Sequence, residues 1–138
     1  MTRTKVNSKL KQRNRGGALT VEMAMTLPIF FTILFGCYEI CHASMLQHAA
    51  ESAAYEGARA GIVPGASETR CRNSATLVLR SMGIRKFDVR VSPSNIGVAT
   101  PTVEVEVLVP MKGNTTFATF FFKDPVFRGR CELVRETL

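Results

Sequence analysis

The apolar positions of this chain follow three successive patterns: a continuous run, a helical spacing and a strict alternation. The continuous run covers residues 18–40, which measure about 34 Å as a helix at ~1.5 Å per residue. A hydrocarbon core is ~30 Å thick, so a helix of this length can cross it with a modest tilt. We therefore expect a transmembrane helix at residues 18–41.

Small and apolar residues then recur at spacings of three and four, which predicts an amphipathic helical extension over residues 42–62. Its small-residue face consists of Leu46, Ala49, Ala50, Ala53, Gly57 and Ala60. Side chains of this size permit close backbone approach, either to neighbouring subunits or to a sheet of the chain itself. A second helix is expected to begin at Ser67 or Thr69 and to end at Gly83. Its apolar stripe is Cys71, Ala75, Val78 and Met82.

Alternation with a period of two follows, which predicts β-strands with one buried face. The strands are expected around residues 87–92 and 103–109, with a third at residues 130–135. Residues 63–138 are therefore expected to form a small extracytoplasmic α+β domain. The predicted fold class is α+β, with a long N-terminal transmembrane-plus-amphipathic helix, a second short helix and a small antiparallel sheet of about three strands.

An aromatic segment interrupts the predicted strands. Residues 115–127 hold five of the nine phenylalanines of the chain. An exposed cluster of this kind often marks a contact with a partner or a membrane. The alternative, which we favour, is that the core under the second helix is formed by Phe117, Phe120 and Phe121.

Positive charge is concentrated in residues 1–17. The chain carries a formal net charge of +7, and six of its 18 basic residues precede the Gly-Gly pair with no acid among them: Arg3, Lys5, Lys9, Lys11, Arg13 and Arg15. The other 12 basic residues are nearly balanced by 11 acidic ones. Basic residues at one end of an apolar helix hold that end in the cytoplasm. A nucleic-acid-binding surface would interleave aromatic residues, which this arm lacks, so we expect a cytoplasmic leader and no nucleic-acid partner.

Glu22 is a carboxylate inside the apolar run. An ionised carboxylate in lipid costs roughly 2.5–3.5 kcal/mol, so such a residue needs a partner and marks a functional site. If the chain is cut after Gly17, the new α-ammonium group of Ala18 lies one helical turn from Glu22. That ammonium is the natural partner of the carboxylate, either within one chain or between neighbouring subunits.

The stretch GGALTVEMAMTLPIFFTILFGCYEI, followed by AAESAAYEGARAG, resembles the TadE-like family of minor pilins and pseudopilins. These proteins belong to tight-adherence (Flp) pilus systems and carry the class III signal of type IV pilin-like proteins. The resemblance covers residues 13–62, and the remainder only in outline. The chain departs from the usual Flp-type signal at Met23, where an aromatic residue commonly follows the glutamate.

The resemblance implies that a prepilin peptidase cleaves between Gly17 and Ala18 and that Glu22 guides assembly. It implies a bacterial cytoplasmic (inner) membrane protein with one span, a cytoplasmic N-terminus and an extracytoplasmic C-terminal domain, acting in the pilus or at its base. The expected partners are the prepilin peptidase, other pilins or pseudopilins and the pilus assembly platform, in a hetero-oligomer. The implied role is that of a non-catalytic component of Flp pilus assembly or a related secretion system.

The four cysteines fall into two pairs. In an oxidising extracytoplasmic compartment Cys71 and Cys131 are expected to form a disulfide, with free buried thiols as the alternative. Cys37 and Cys41 lie four residues apart on one helix, where bridge geometry is unfavourable, and are expected to be small packing residues or contacts to another subunit. Neither these thiols nor the two histidines match a zinc spacing, and no nucleophile with a base or phosphate-binding loop is visible. We therefore expect no catalytic residue, metal or cofactor.

Three other fates of the same amino terminus are open. The residues LFGC at 34–37 resemble a lipoprotein box, in which Cys37 would be lipidated and the preceding residues removed. The small residues of Cys41-His42-Ala43 offer a site for ordinary signal peptidase, which would release a secreted domain that begins at Ser44. The third fate is an uncleaved single-pass anchor. Neither lipidation nor secretion has a use for a carboxylate at Glu22, which favours the pilin-like route.

Overall fold

The structure is a computed structural model that describes residues 3–94, 96, 100–115 and 124–135, with side chains from Gly17 onward. It contains two helices and three strands. They are α1 Arg3–Gly61, α2 Glu68–Ser81, β1 Asp88–Ser92, β2 Thr102–Pro110 and β3 Val126–Val134. The strands form one antiparallel sheet in the order β1-β2-β3, which confirms the predicted α+β class.

The chain divides into two compact units, Met1–Tyr38 and Glu39–Leu138. In the first unit α1 carries apolar side chains on all sides, and the described side chains are exposed with the exception of the half-buried Gly36. Pro28 lies within the helix and has no N–H group to continue the hydrogen-bond ladder. Two threonines donate their hydroxyl groups to carbonyls one turn earlier, Thr26 to Glu22 at 2.7 Å and Thr32 to Pro28 at 2.8 Å.

In the second unit, α2 and residues 39–61 of α1 pack on one face of the sheet. The centre of the core is β2, whose four alternate valines are all fully buried: Val103, Val105, Val107 and Val109. The residues between them are half-exposed on the opposite face, as expected for a strand with one wet side. The alternation in the sequence therefore correctly predicted which side of β2 is buried.

The third strand is longer than predicted. It begins at Val126 rather than Arg130, and it pairs along the whole length of β2 from Thr102 to Pro110. This extension adds Arg128 to the wet face, where Arg128 forms an ion pair with Glu106 and Arg130 forms one with Glu104 of β2. The predicted start of the strand was wrong because a proline precedes Val126 and a glycine interrupts the alternation, both of which weaken a strand pattern.

Glycine and alanine on α1 allow the helix to lie directly on the sheet. A Cβ atom at Gly57 would lie 3.1 Å from Val105, and one at Gly61 would lie 2.8 Å from Val103. Opposite them, a Cβ atom at Gly129 of β3 would lie 2.2 Å from the Ala50 carbonyl oxygen. The small-residue face was expected to pack either on neighbouring subunits or on a sheet of the chain itself. In the structure it packs on the chain's own sheet. Ala54 and Ala58 are also buried on this face, whereas Ala60 is only half-buried.

The second helix is capped as predicted. The Ser67 hydroxyl accepts a hydrogen bond from the Arg70 amide at 3.3 Å, and Gly83 ends the helix with a φ of +78°. Its buried stripe is Cys71, Ala75 and Leu79. The prediction of Met82 as a member of this stripe was wrong, because Met82 is the C-cap residue and its side chain is 44% exposed.

Candidate functional site

The predicted processing site lies at the start of the apolar part of α1. Gly17 and Ala18 are exposed, and a Cβ atom added at Gly17 would meet nothing within 4 Å. Glu22 is exposed one turn later, and the apolar residues near it include Leu19 at 62% and Met25 at 71% exposure. All three predicted site residues of this segment therefore lie on one accessible stretch of helix.

The chemistry of this segment depends on whether the chain is cut. In the intact chain the Ala18 nitrogen is an amide without charge. Cleavage of the Gly17–Ala18 bond would create a primary amine, which is protonated at neutral pH. Because residues four apart on a helix are neighbours, that ammonium group would share a helix face with the Glu22 carboxylate. The site can thus change from a lone acid to an ion pair in a single step.

The segment that carries this site is suited to a membrane. The described helix over Gly17–Gly61 contains an 18-residue window with a mean hydropathy of 1.8, and none of that window is buried inside the protein. Large side chains such as Ile29, Phe30 and Ile33 are each more than half exposed. A helix that is apolar all round needs an apolar environment to cover it. By its length and composition this helix fits a single-pass membrane anchor.

The described residues form an α+β fold whose amino-terminal helix fits a single-pass membrane anchor. Residues 17–59 match the model of a protein family described as TadE-like protein. Over this segment the chain is similar to TadE-like proteins, which confirms the resemblance seen in the sequence and supports an involvement in pilus-associated function. Comparison with curated proteins and with solved structures gives no match.

The two cysteines of the predicted disulfide both lie in the second unit. Cys71 of α2 is fully buried, and its sulfur lies 2.9 Å from where a Cβ atom at Gly61 would stand. Cys131 of β3 is half-buried and is paired in register with the buried Val105. Both are free thiols in this structure, and burial raises the pKa of each. The pairing of Cys71 with Cys131 stays a prediction.

The other two cysteines, Cys37 and Cys41, are exposed free thiols on α1. Among the described residues, no three side chains of histidine, cysteine, aspartate or glutamate come together in a way that could hold a metal ion. The predicted core phenylalanines, Phe117, Phe120 and Phe121, lie outside the described residues.

Sequence reasoning missed a basic surface at one end of the sheet. Asn114, in the turn after β2, accepts hydrogen bonds from the amides of Arg85 and Lys86, both at 2.9 Å. Its own amide group donates to the carbonyls of Lys86 and Pro110. These four bonds fix the backbone of Arg85 and Lys86 beside the end of β2. The sequence does show the Arg85-Lys86 pair. Only the hydrogen bonds from Asn114 show that this pair lies at the end of the sheet.

Proposed function

We propose that this protein is a minor pilin or pseudopilin of Flp pilus assembly or a related secretion system, and that a prepilin peptidase cleaves it between Gly17 and Ala18. It is a substrate of that enzyme and has no catalytic role of its own. The observation that carries the proposal is the exposed Gly17-Ala18 bond, followed by Glu22 within an apolar helix that matches the TadE-like family.

The proposed mechanism has three steps. The basic leader, residues 1–17, holds the amino terminus in the cytoplasm, and residues 18–41 cross the bacterial inner membrane. The peptidase then removes the leader and exposes the Ala18 ammonium group. Finally, the Glu22 carboxylate of one subunit meets the ammonium group of a neighbouring pilin or pseudopilin in the assembly platform. Both charges would be neutralised in a low dielectric, which fixes the axial register of the two helices.

Intact mass of the protein from its native host tests the processing step. We expect a chain that begins at Ala18, and the Gly17→Val variant should keep its leader. The matched control is Gly36→Val, which changes a glycine of the same helix away from the predicted cut. A mature chain that begins with a lipidated Cys37, or at Ser44, would contradict the proposal. So would a wild-type chain that keeps its leader in the assembled state.

Substitution of Glu22 tests the assembly step. Removing one partner of a poorly hydrated ion pair costs about 3 kcal/mol, which corresponds to about a hundredfold weaker association. Glu22→Gln should therefore be cleaved and inserted normally but be lost from co-purified pilus assemblies. The matched control is Glu51→Gln, an exposed glutamate of the second unit that should have no effect. Equal recovery of the Glu22→Gln and wild-type chains with pilus components would disprove the ion pair.

A further inference from the structure

The direction of α1 within the second unit shows at which end of the sheet the chain enters. Gly61 lies against Val103, near the start of β2, whereas Ala50 lies against Gly129, which pairs with Val107 further along β2. The side chain of Gln47 then donates to the Arg128 carbonyl at 3.3 Å. Towards its amino terminus, this part of α1 therefore runs towards the end of β2 at Pro110.

We call this end of the second unit the entry end, defined by Arg80, Arg85–Asp88, Pro110–Asn114 and Val126. The hydrogen bonds of Asn114 place Arg85 and Lys86 there, and Pro110 is paired with Val126 at the start of β3. Glu39, at which the unit begins, lies near the carboxyl end of the predicted membrane span, residues 18–41. If residues 18–41 span the membrane, residues 39–41 of the second unit are the last residues of that span, so phospholipid head groups are the ligands next to the start of this unit.

The entry end carries cations that have no acidic partner among the residues that the structure describes. Arg80, Arg85 and Lys86 are exposed, and none of them forms a salt bridge with another described residue. The two exposed carboxylates close to them are already engaged. Asp88 forms an ion pair with Arg90 at 3.0 Å, and Asp124 lies 3.8 Å from Lys112. The local charge of this surface is therefore positive, although the described charges elsewhere in the unit are largely paired.

Apolar side chains lie between these cations. A groove of about 540 Å³ is lined by Arg85 and Lys86 together with Phe87, Leu108 and Val126. A second groove of about 430 Å³ shares Arg85 and Phe87 with the first and adds Arg80. Val126 is 58% exposed. Cations beside exposed apolar groups match the chemistry of a lipid surface, where phosphates lie above hydrocarbon.

We propose that the entry end binds the phosphate head groups of anionic phospholipids, and so holds the second unit against the membrane that anchors the chain. The proposal rests on the membrane-anchored topology of the proposed function. Each basic residue near an anionic surface strengthens binding about fivefold, so the three cations together contribute about a hundredfold in the ratio of docked to undocked states. The attraction falls off within a Debye length and is screened by salt.

Tryptophan fluorescence of the full chain in lipid nanodiscs tests this docking, because the chain contains no natural tryptophan. The reporter is Met82→Trp, at an exposed position beside Gly83 and Arg80. The nanodiscs contain phosphatidylcholine with a head-group spin-labelled lipid as quencher, with or without phosphatidylglycerol. We expect phosphatidylglycerol to increase quenching of the reporter, and high salt to reverse the increase. A second reporter, Val63→Trp, lies at the opposite end of the unit and should not respond.

Charge-matched variants separate docking from general electrostatics. The triple variant R80Q/R85Q/K86Q should lose the increase in quenching that phosphatidylglycerol produces. The control triple variant R59Q/R70Q/R72Q removes the same amount of charge near Gly61, at the far end of the unit. It should keep the increase in quenching that phosphatidylglycerol produces. Equal quenching of Met82→Trp with and without phosphatidylglycerol would overturn the proposal, and so would an equal loss in both triple variants.

The outcome does not depend on pilus assembly. Retention of the chain in the nanodisc reports whether residues 18–41 anchor it, and quenching of the reporter tests only the surface of the second unit. A chain that is retained but not quenched disproves lipid docking and leaves the proposed function intact. A chain that is not retained disproves the anchor on which both proposals depend.

Discussion

The two halves of α1 show opposite relations between side-chain size and exposure. Before Tyr38 the helix carries large apolar residues such as Leu19, Ile29 and Phe30, and these are exposed. After Glu39 the same helix carries alanine and glycine on one face, and most of those small residues are buried, with Ala60 half-buried. In the first half no described part of the protein covers the apolar surface, whereas in the second half the sheet and α2 cover one face of the helix.

The difference shows that a helix can be continuous while its stability comes from different sources along its length. Large side chains gain from transfer into hydrocarbon, which does not require them to fit a specific shape. Small side chains gain little from burial alone, but they let the backbone of α1 approach β2 and β3 closely enough for dense packing. We therefore expect the anchor to tolerate changes of shape but not of charge, and the packed half to tolerate neither added volume nor buried charge.

A lysine in each half should give the largest contrast. Phe30 and Tyr55 have nearly the same exposure, 55% and 51%. Phe30→Lys places a charge near the middle of the apolar segment and should cost about 3 kcal/mol of membrane insertion, whereas Tyr55→Lys meets water and should cost less than ~0.5 kcal/mol. Carbonate extraction of membranes measures the loss of insertion. Equal extraction of the two variants would show that the exposed apolar half does not face lipid.

Added side-chain volume should destabilise the packed second unit and leave the exposed first half of α1 unaffected. Gly129→Ala places a Cβ atom 2.2 Å from the Ala50 carbonyl oxygen, so the backbone must move, and we expect a loss of about 2 kcal/mol in the unfolding free energy of the second unit. Gly17→Ala meets nothing within 4 Å and should leave that free energy unchanged. Denaturant titration of the second unit in detergent measures both. A neutral Gly129→Ala variant would mean that α1 does not lie against β3 as described.

The buried thiol of Cys71 should make the stability of the second unit depend on pH. Burial raises the pKa of Cys71 above its ordinary 9.0 in the folded chain, so the unfolded chain loses this proton first as the pH rises. The contribution is fully present below pH 9.0 and is lost as the pH rises through the folded pKa, at no more than about 1.4 kcal/mol per pH unit. Unfolding curves measured under reducing conditions should show this fall.

The matched control for the thiol is Cys71→Ala, which should be less stable at neutral pH but should show a weaker fall in alkali. Cys131 lies on the less buried β3 and should contribute a smaller part of the same dependence. An alkaline fall of equal size in wild type and Cys71→Ala would assign the effect to other groups.

The smallest effect is expected on the wet face of the sheet. Arg128 and Arg130 pair with Glu106 and Glu104, but both arginine side chains are more than 60% exposed. Exposed pairs of this kind contribute about 0.2–1 kcal/mol, and salt screens them. Arg130→Gln should therefore lower the unfolding free energy by a few tenths of a kcal/mol at low salt and by less at high salt. A salt-independent loss above ~1 kcal/mol would indicate a packing role for the arginine.

Local patterns predicted most of the fold. Alternating valines located the buried side of β2, and Ser67 and Gly83 correctly marked the ends of α2. The errors came where local signals are weak. The start of β3 was missed because Pro125 and Gly129 interrupt its pattern. Met82 was assigned to the core because residues three apart and four apart on a short helix are hard to distinguish without the packing partner.

The functional residues also differ in whether the sequence could identify them. Gly17, Ala18 and Glu22 could be identified from the sequence because the signal is contiguous and a carboxylate in an apolar run is chemically conspicuous. The entry end could not be identified, because Arg80, Lys86 and Val126 are far apart in the chain. Only the contacts of Asn114 and the pairing of β2 with β3 bring these residues to one surface.

The sequence by itself determined that a long apolar helix precedes a small α+β unit, since the length of the apolar run and the change of period are local properties. The tertiary structure alone decided what the small-residue face of α1 packs against, and which charged residues meet at one end of the sheet. The physical reason is that the residues of a helical face determine only whether that face can pack closely. Its partner is selected by strand pairing and core packing between residues that are distant along the chain.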